Sequence, residues 1–211
     1  MSYDFDTVID RSGTGSLKWD RFDPEVLPLW VADMDFVSAP EVLDALHKRV
    51  DHGIYGYTVP YEKANQVVVD YQHRVHGVTI DPEWLVWLPG MVQGLYLTAM
   101  AYAQKGESLM TCTPIYPPFR GCAGYGDREV IEVPLCWANA RWTFDFEAME
   151  RAVRKDTRVF MLCNPHNPVG RVFDKEELER IVDFCERHDL VLCSDEIHCD
   201  LILDDVPHVS T

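Results

Sequence analysis

The stretch SDEIHCDL, residues 194–201, follows directly on HDLVLC, a short and mostly apolar run. It places Asp195, Glu196 and His198 at the end of what reads as a buried strand. An ionised carboxylate is costly to bury unless a positive group pairs with it. The run therefore predicts a cationic partner for one of these acids. Three more stretches carry residues suited to holding a ligand. In NPHNPVG (164–170) the loop around Asn167 is fixed by Pro165, Pro168 and Gly170. Its amide is a ready donor, and a plain Asn-Pro turn is the other reading. TPIYPPF (113–119) presents Tyr116 on a backbone stiffened by Pro114, Pro117 and Pro118. An aromatic face orients a planar ligand, though such a tyrosine also serves as simple core. Gly90, Met91 and Val92 open a helix whose first backbone N–H groups are free to meet a phosphate.

The elements that must position these residues alternate along the chain. A helix is expected from SAPEVLDALHKRV, with Ser38 and Glu41 as a capping box and Val37 stapled to Val42. Residues 61–75 read as a helix that His76-Gly77 ends, and 92–104 as a well-buried helix. ESLMTCTP and REVIEVPL read as strands. A helix begins at Phe144-Asp145, with Met149 placed for a staple. TRVFMLCNP (157–165) is a strand run with no clean alternation, as expected when both faces are covered. In FDKEELERIVDFCERHD, Asp174 and Glu177 form a capping box and Phe173 staples to Leu178. Leu178, Ile181, Val182 and Cys185 line one face of that helix. LVLCSDE is the next strand. From about residue 106 this order predicts an α/β fold with a mostly parallel sheet and helices on both faces. Ligands in such sheets bind at the C-terminal strand ends, where TCTPIYPPF, CNPHNPVG and SDEIH all fall.

Composition narrows the classes. Of 211 residues, 47% are hydrophobic, enough for a substantial core. Acidic residues number 35 against 19 basic ones, a formal charge of −16, which disfavours nucleic acid and anionic membranes as partners. No run is apolar enough to span a bilayer. The seven cysteines are scattered and odd in number, with no CxxC, and read as reduced thiols of a cytoplasmic protein. Their spacing matches no zinc pattern, so no metal site is assigned. No GxGxxG follows an early strand, which disfavours a dinucleotide-dependent oxidoreductase. LILDDVPHVST offers no closing helix, so the sequence is expected to be the N-terminal piece of a longer enzyme.

Read together, KWD (18–20), LPLWVADMDF (27–36), YGYT (55–58), LPGMVQGL (88–95), TPIYPPF, CNPHNPVGRVF (163–173) and SDEIHCDL resemble the fold-type I pyridoxal-phosphate enzymes of aminotransferase class I/II. The nearer resemblance is to their carbon–sulfur lyase branch, the MalY/PatB-type cystathionine β-lyases. It implies the aspartate-aminotransferase-like fold. Residues 1–50 would be an N-terminal arm and part of the small domain, and 51–211 the first portion of the large domain. It implies pyridoxal 5'-phosphate as cofactor. Asp195 would face the ring nitrogen, Asn167 and His198 the phenolic oxygen, and Tyr116 the ring plane. Met91 and Val92 would offer amides to the phosphate. Tyr57 would reach the phosphate of a neighbouring subunit, making a homodimer with composite sites, while Tyr55 competes for that role. Trp30 and Ala32 would line the pocket for the substrate carboxylate, with Asp33 capping or turning the chain. Glu196 and Asn164 would be structural, and His166 a loop or cofactor residue. The Schiff-base lysine and the carboxylate-binding arginine of the family match nothing here; no catalytic residue is assigned within these 211 residues. The implied activity is α,β-elimination on a sulfur amino acid. A class I/II aminotransferase and a non-catalytic protein on the same fold are the alternatives.

Overall fold

The computed structural model describes residues 3–124 and 126–211, in two compact units, Met1–Val59 and Pro60–Thr211. The first unit contains α1 (Leu17–Asp20) and α2 (Pro40–His52). A knot of charged groups ties its segments to one another. Arg11 bonds Asp33 at 2.5 Å and Asp35 at 2.6 Å, and Lys18 reaches the other oxygen of Asp35 at 2.6 Å. The Trp19 indole N–H also donates to Asp35, at 2.8 Å. These bonds hold the Asp35 carboxyl far below the usual range, with Lys18 first among the causes.

The expected Ser38–Glu41 capping box does not form. The N-cap of α2 is Ala39, with no side-chain cap, because Pro40 takes the first helical position, where its missing N–H costs nothing. That puts Ser38 and Glu41 out of phase with the reciprocal bonds. Val37 and Val42 both stay more than half exposed. At the other end Gly53 sits at φ 70° and donates to Val50 O, a left-handed stop.

The second unit begins with α3 (Glu62–Tyr71), continued by one wider turn to His76 and stopped at Gly77. Then come α4 (Met91–Tyr102), β1 (Ser108–Thr113), α5 (Pro117–Gly121) and β2 (Glu129–Pro134). A small hairpin of β3 (Cys136–Ala138) and β4 (Arg141–Thr143) follows, and then α6 (Phe146–Ala152), β5 (Thr157–Cys163), α7 (Lys175–Arg187) and β6 (Val191–Asp195). The main sheet has the order β2-β1-β5-β6, and every pair is parallel. The expected α/β architecture is therefore present.

Successive residues of the central strands point to opposite cores. Met110, Cys112, Phe160 and Leu162 pack with Met149, Leu178, Ile181 and Phe184 on one side. Leu109, Val159, Met161 and Cys163 pack with Leu95, Ala99 and Phe119 on the other. Helices thus cover both faces. The Asp174–Glu177 capping box is complete, and Phe173 and Leu178 share a buried cluster. Two expectations need correction. Val182 is only partly buried, and Phe184 takes the central place on the inner face of α7. In α4 only Leu95 and Ala99 are fully buried, while Leu97 and Met100 are half exposed. That helix touches the sheet with one edge.

Asp174→Ala should lower stability by about 1 kcal/mol through the lost cap. Phe184→Ala should cost about 3–5 kcal/mol through the cavity it leaves. Denaturant midpoints at unchanged slope measure both.

Candidate active site

The C-terminal ends of three neighbouring strands, β1, β5 and β6, are laced together by short bonds, and the candidate residues sit on the lacing. Tyr116 N–H donates to Asn167 O at 3.1 Å, so the loops after β1 and β5 are joined at those two residues. Asn164 N–H donates to Asp195 O at 3.0 Å, joining the ends of β5 and β6. The Asn164 side chain is buried. It accepts from Phe173 N–H at 3.1 Å and donates to Val209 O at 3.3 Å. It is a cross-link between three segments rather than the plain turn residue expected.

His166 settles between its two expected roles. Its ring is buried, with Nε2 2.8 Å from Pro114 O and Nδ1 3.2 Å from Cys163 O. Both nitrogens face main-chain carbonyls, which leaves none for a ligand. Burial pushes its pKa down, against the pull of those carbonyls, so the ring is neutral and donates to one of the two. Its role is to clasp the loop.

The two acids of SDEIH have opposite surroundings. Burial alone would raise the Glu196 carboxyl. Hydrogen bonds from His208, Thr211, Ser210 and Ser194 outweigh it and hold the pKa below the ordinary value. The His208 contact is 2.8 Å and the Thr211 N–H contact 3.1 Å. Asp195 is raised instead. Burial is the main cause, and only the Ile197 N–H bond at 3.1 Å and the field of His198 pull the other way. Among the described residues no cation pairs with it. The strand ends by presenting a desolvated carboxylate that lacks its counter-charge.

Beside β6, a groove of about 320 Å³ runs between it and α4. Leu88, Met91 and Thr98 line one side, and Cys193, Ser194 and Asp195 the other. Only its Met91–Asp195 end coincides with the candidate site; Tyr116, Asn167 and His198 lie outside it. Met91 and Val92 occupy the first turn of α4, which has no side-chain cap. Gly90 precedes them at φ 156°, and a Cβ there would meet Gln93 Oε1 at 2.8 Å. This is a backbone cradle with free amides, suited to an anion. The Tyr116 ring is 39% exposed and open to a ligand. His198 lies in the turn after β6. No lysine lines the groove. Lys105 and Lys175 are exposed and paired with Asp127 and Glu179.

Five of the residues singled out in the sequence, Trp30, Ala32, Asp33, Tyr55 and Tyr57, belong to the first unit. Trp30 donates through its indole N–H to Lys18 O at 3.3 Å and packs on Phe22. Ala32 is exposed, and Val31 between them has φ 61°, a rare state for a β-branched residue. Asp33 is an ion-pair partner of Arg11 rather than a cap. Of the two tyrosines, Tyr55 is tied down, donating to Val50 O at 3.0 Å under Arg49. Tyr57 is fully exposed.

A parallel sheet that ends in an anion cradle, an open aromatic ring and an unpaired carboxylate defines a protein that binds a ligand with both negative and positive groups. Residues 24–211 match the model of the family "Aminotransferase class I and II", and the chain belongs to that family. It is 36% identical over 205 residues to cystathionine beta-lyase PatB of Bacillus subtilis, covering 94% of this chain and 53% of that protein. Cystalysin from Treponema denticola, whose crystal structure contains pyridoxal 5'-phosphate, superposes with a TM-score of 0.93 at 36% identity, over 100% of this chain and 55% of that one. The PLP-bound C-S lyase from Staphylococcus hominis gives 0.91 at 30%, over 99% and 55%. The chain spans about half the length of the curated relatives it matches.

Asn164→Ala strands the buried Phe173 N–H and should cost about 1–3 kcal/mol. His166 has a folded pKa below its unfolded value of about 6.5. Its contribution is therefore complete above that pH and is lost as the pH falls below it. His166→Gln should be less stable than the parent at pH 7.5, and the gap should narrow toward pH 5, read from denaturant midpoints at both values.

Proposed function

We propose that this chain is the cofactor-binding portion of a pyridoxal-phosphate-dependent carbon–sulfur β-lyase of the cystathionine β-lyase type. The observation that carries the reading is Asp195: a half-buried carboxylate at the end of a parallel strand, raised by burial and lacking a cation. The protonated ring nitrogen of the cofactor is the partner such a group needs. The likeness to PatB, cystalysin and the C-S lyase from Staphylococcus hominis supports the same reading.

When bound, pyridoxal phosphate supplies an electron sink for negative charge developing at the substrate α-carbon. Asp195 would hold the protonated ring nitrogen, which would make that sink effective. Asn167 and His198 would donate to the phenolic oxygen. Tyr116 would pack on the ring. The amides of Met91 and Val92, behind Gly90, hold the phosphate. Tyr57, untethered where Tyr55 is bound, reaches the phosphate in a second copy, so the working form is a homodimer. Trp30 and Ala32 line the pocket for the substrate carboxylate, Ala32 through its backbone. A lysine to carry the cofactor and take the α-proton, and an arginine for the substrate carboxylate, are not assigned among these 211 residues. Loss of the β-thiolate would leave 2-aminoacrylate, whose hydrolysis by water would give pyruvate and ammonia beside the thiol, with cystathionine as leading substrate. Among the described residues no helix is long and apolar enough to cross a membrane; the free, largely buried cysteines support a cytoplasmic setting.

A class I/II aminotransferase would use the same cofactor contacts and is favoured by the family match itself. Product analysis separates the two on the full-length protein. Pyruvate and thiol released without added 2-oxo acid mean elimination, and turnover only after a 2-oxo acid is supplied means transamination.

Asp195→Asn should lower turnover by about 10²–10³-fold, the size of effect seen when one preorganised electrostatic partner is removed. It should also raise the stability of the cofactor-free protein. The folded pKa of Asp195 lies above its unfolded value, so the ionised form subtracts stability at neutral pH, and the amide relieves it. A cofactor spectrum and turnover unchanged by this substitution would overturn the reading.

A further inference from the structure

The turn after β6 meets the end of α3 in a cluster that the cofactor reading does not use. His76 Nε2 lies 3.1 Å from Asp200 Oδ1, and Cys199 Sγ lies 3.7 Å from the same nitrogen. The three donor atoms all fall within 4.8 Å of one another. We infer that His76, Cys199 and Asp200 form a binding site for a divalent transition-metal cation of the zinc type.

The spacing fits the ion. Zinc bonds of about 2.0–2.1 Å to nitrogen, 2.0–2.2 Å to oxygen and 2.3 Å to sulfur, set tetrahedrally, put ligand atoms about 3.3–3.6 Å apart. One sulfur, one imidazole and one carboxylate suit zinc, cobalt or nickel. They do not suit magnesium or calcium, which take oxygen ligands. One ligand is also supported from behind. The His76 ring is held between those of Tyr71, at 5.8 Å, and His208, at 5.4 Å. Such outer contacts orient metal ligands. The His76 side chain is 5% exposed and that of Asp200 51%, so the site is rooted inside and open to solvent at one edge.

A second observation marks the cluster as incomplete. The His208 side chain is 2% exposed, and Glu196 holds its Nε2. Its Nδ1 is buried with no hydrogen-bond partner among the described residues. Three protein donors leave a fourth position on a tetrahedral ion for water or a further ligand, and the orphaned nitrogen belongs to the ring packed against His76. Binding takes Cys199 as thiolate, its proton passing to solvent. The ion would pin the 197–200 turn, which carries His198, onto the end of α3.

The test is equilibrium dialysis of the purified protein, without added pyridoxal phosphate, against zinc(II) or cobalt(II), with metal counted by mass spectrometry. One ion per chain is expected. The cobalt form should show the intense visible bands of a tetrahedral site and a thiolate charge-transfer band. Cys199→Ser should lose the thiolate band, and His76→Ala should weaken binding at least tenfold; circular dichroism checks that both are folded. Cys193→Ser, which removes another partly buried thiol outside the cluster, should change neither. Zinc should raise the melting temperature of the parent and not of His76→Ala. Absence of stoichiometric metal, a cobalt spectrum without a thiolate band, or equal binding by the His76 and Cys199 variants overturns the site and leaves the cofactor reading standing.

Discussion

A carboxylate held away from water with nothing to neutralise it is the constraint around which this chain is arranged. Asp195 stands at the last position of β6, and its backbone carbonyl is bonded by Asn164 at the end of β5. That bond and the β5–β6 register fix the backbone from which its side chain projects. The parallel order that fixes it also brings the loops of β1 and β5 alongside. The price is an unfavourable local electrostatic state, carried by two apolar cores on either face of the sheet.

The dipeptide Asp195-Glu196 shows how far position decides chemistry. Two neighbouring acids differ by one strand residue and one turn residue. Glu196 turns toward His208, Ser194 and Thr211 and is satisfied within the chain. Asp195 turns toward the strand mouth and is not. Environments that drive two carboxyl groups apart give them different states: one anchors the segment 208–211, the other is left without such partners.

Much of this was legible in the residues because it is local or periodic. The Asp174–Glu177 box and the Asp145 cap are i to i+3 patterns, and the unbroken apolar runs of β1 and β5 announce strands covered on both sides. Asp195 was legible because ionisable groups at the end of such a run need a reason. What escaped was either non-local or against local habit. Pro40 moved a cap by one residue. The β3–β4 hairpin turns through Asn139 and Ala140 at φ 52° and 57°, and alanine is not a residue that announces a left-handed turn. The partners of His166 and Asn164 lie 52 and 45 residues away, beyond any spacing rule.

The two units hold themselves by different physics, and that difference bears on what each can do. In the second, the strand cores are dry and the site loops hang from them, so the positions of Tyr116, Asn167 and Asp195 follow from packing. In the first, Arg11, Lys18 and Trp19 converge on Asp35, and large side chains such as Leu29, Leu46 and Val50 remain mostly exposed. A polar knot fixes the local path of the 30–36 segment, including the left-handed Val31, without burying much apolar surface. Ion pairs at the surface stabilise little. Fixing that path is therefore their main effect: they set the direction in which Trp30 and Ala32 are presented, while the stability that keeps Asp195 in place comes from the sheet alone.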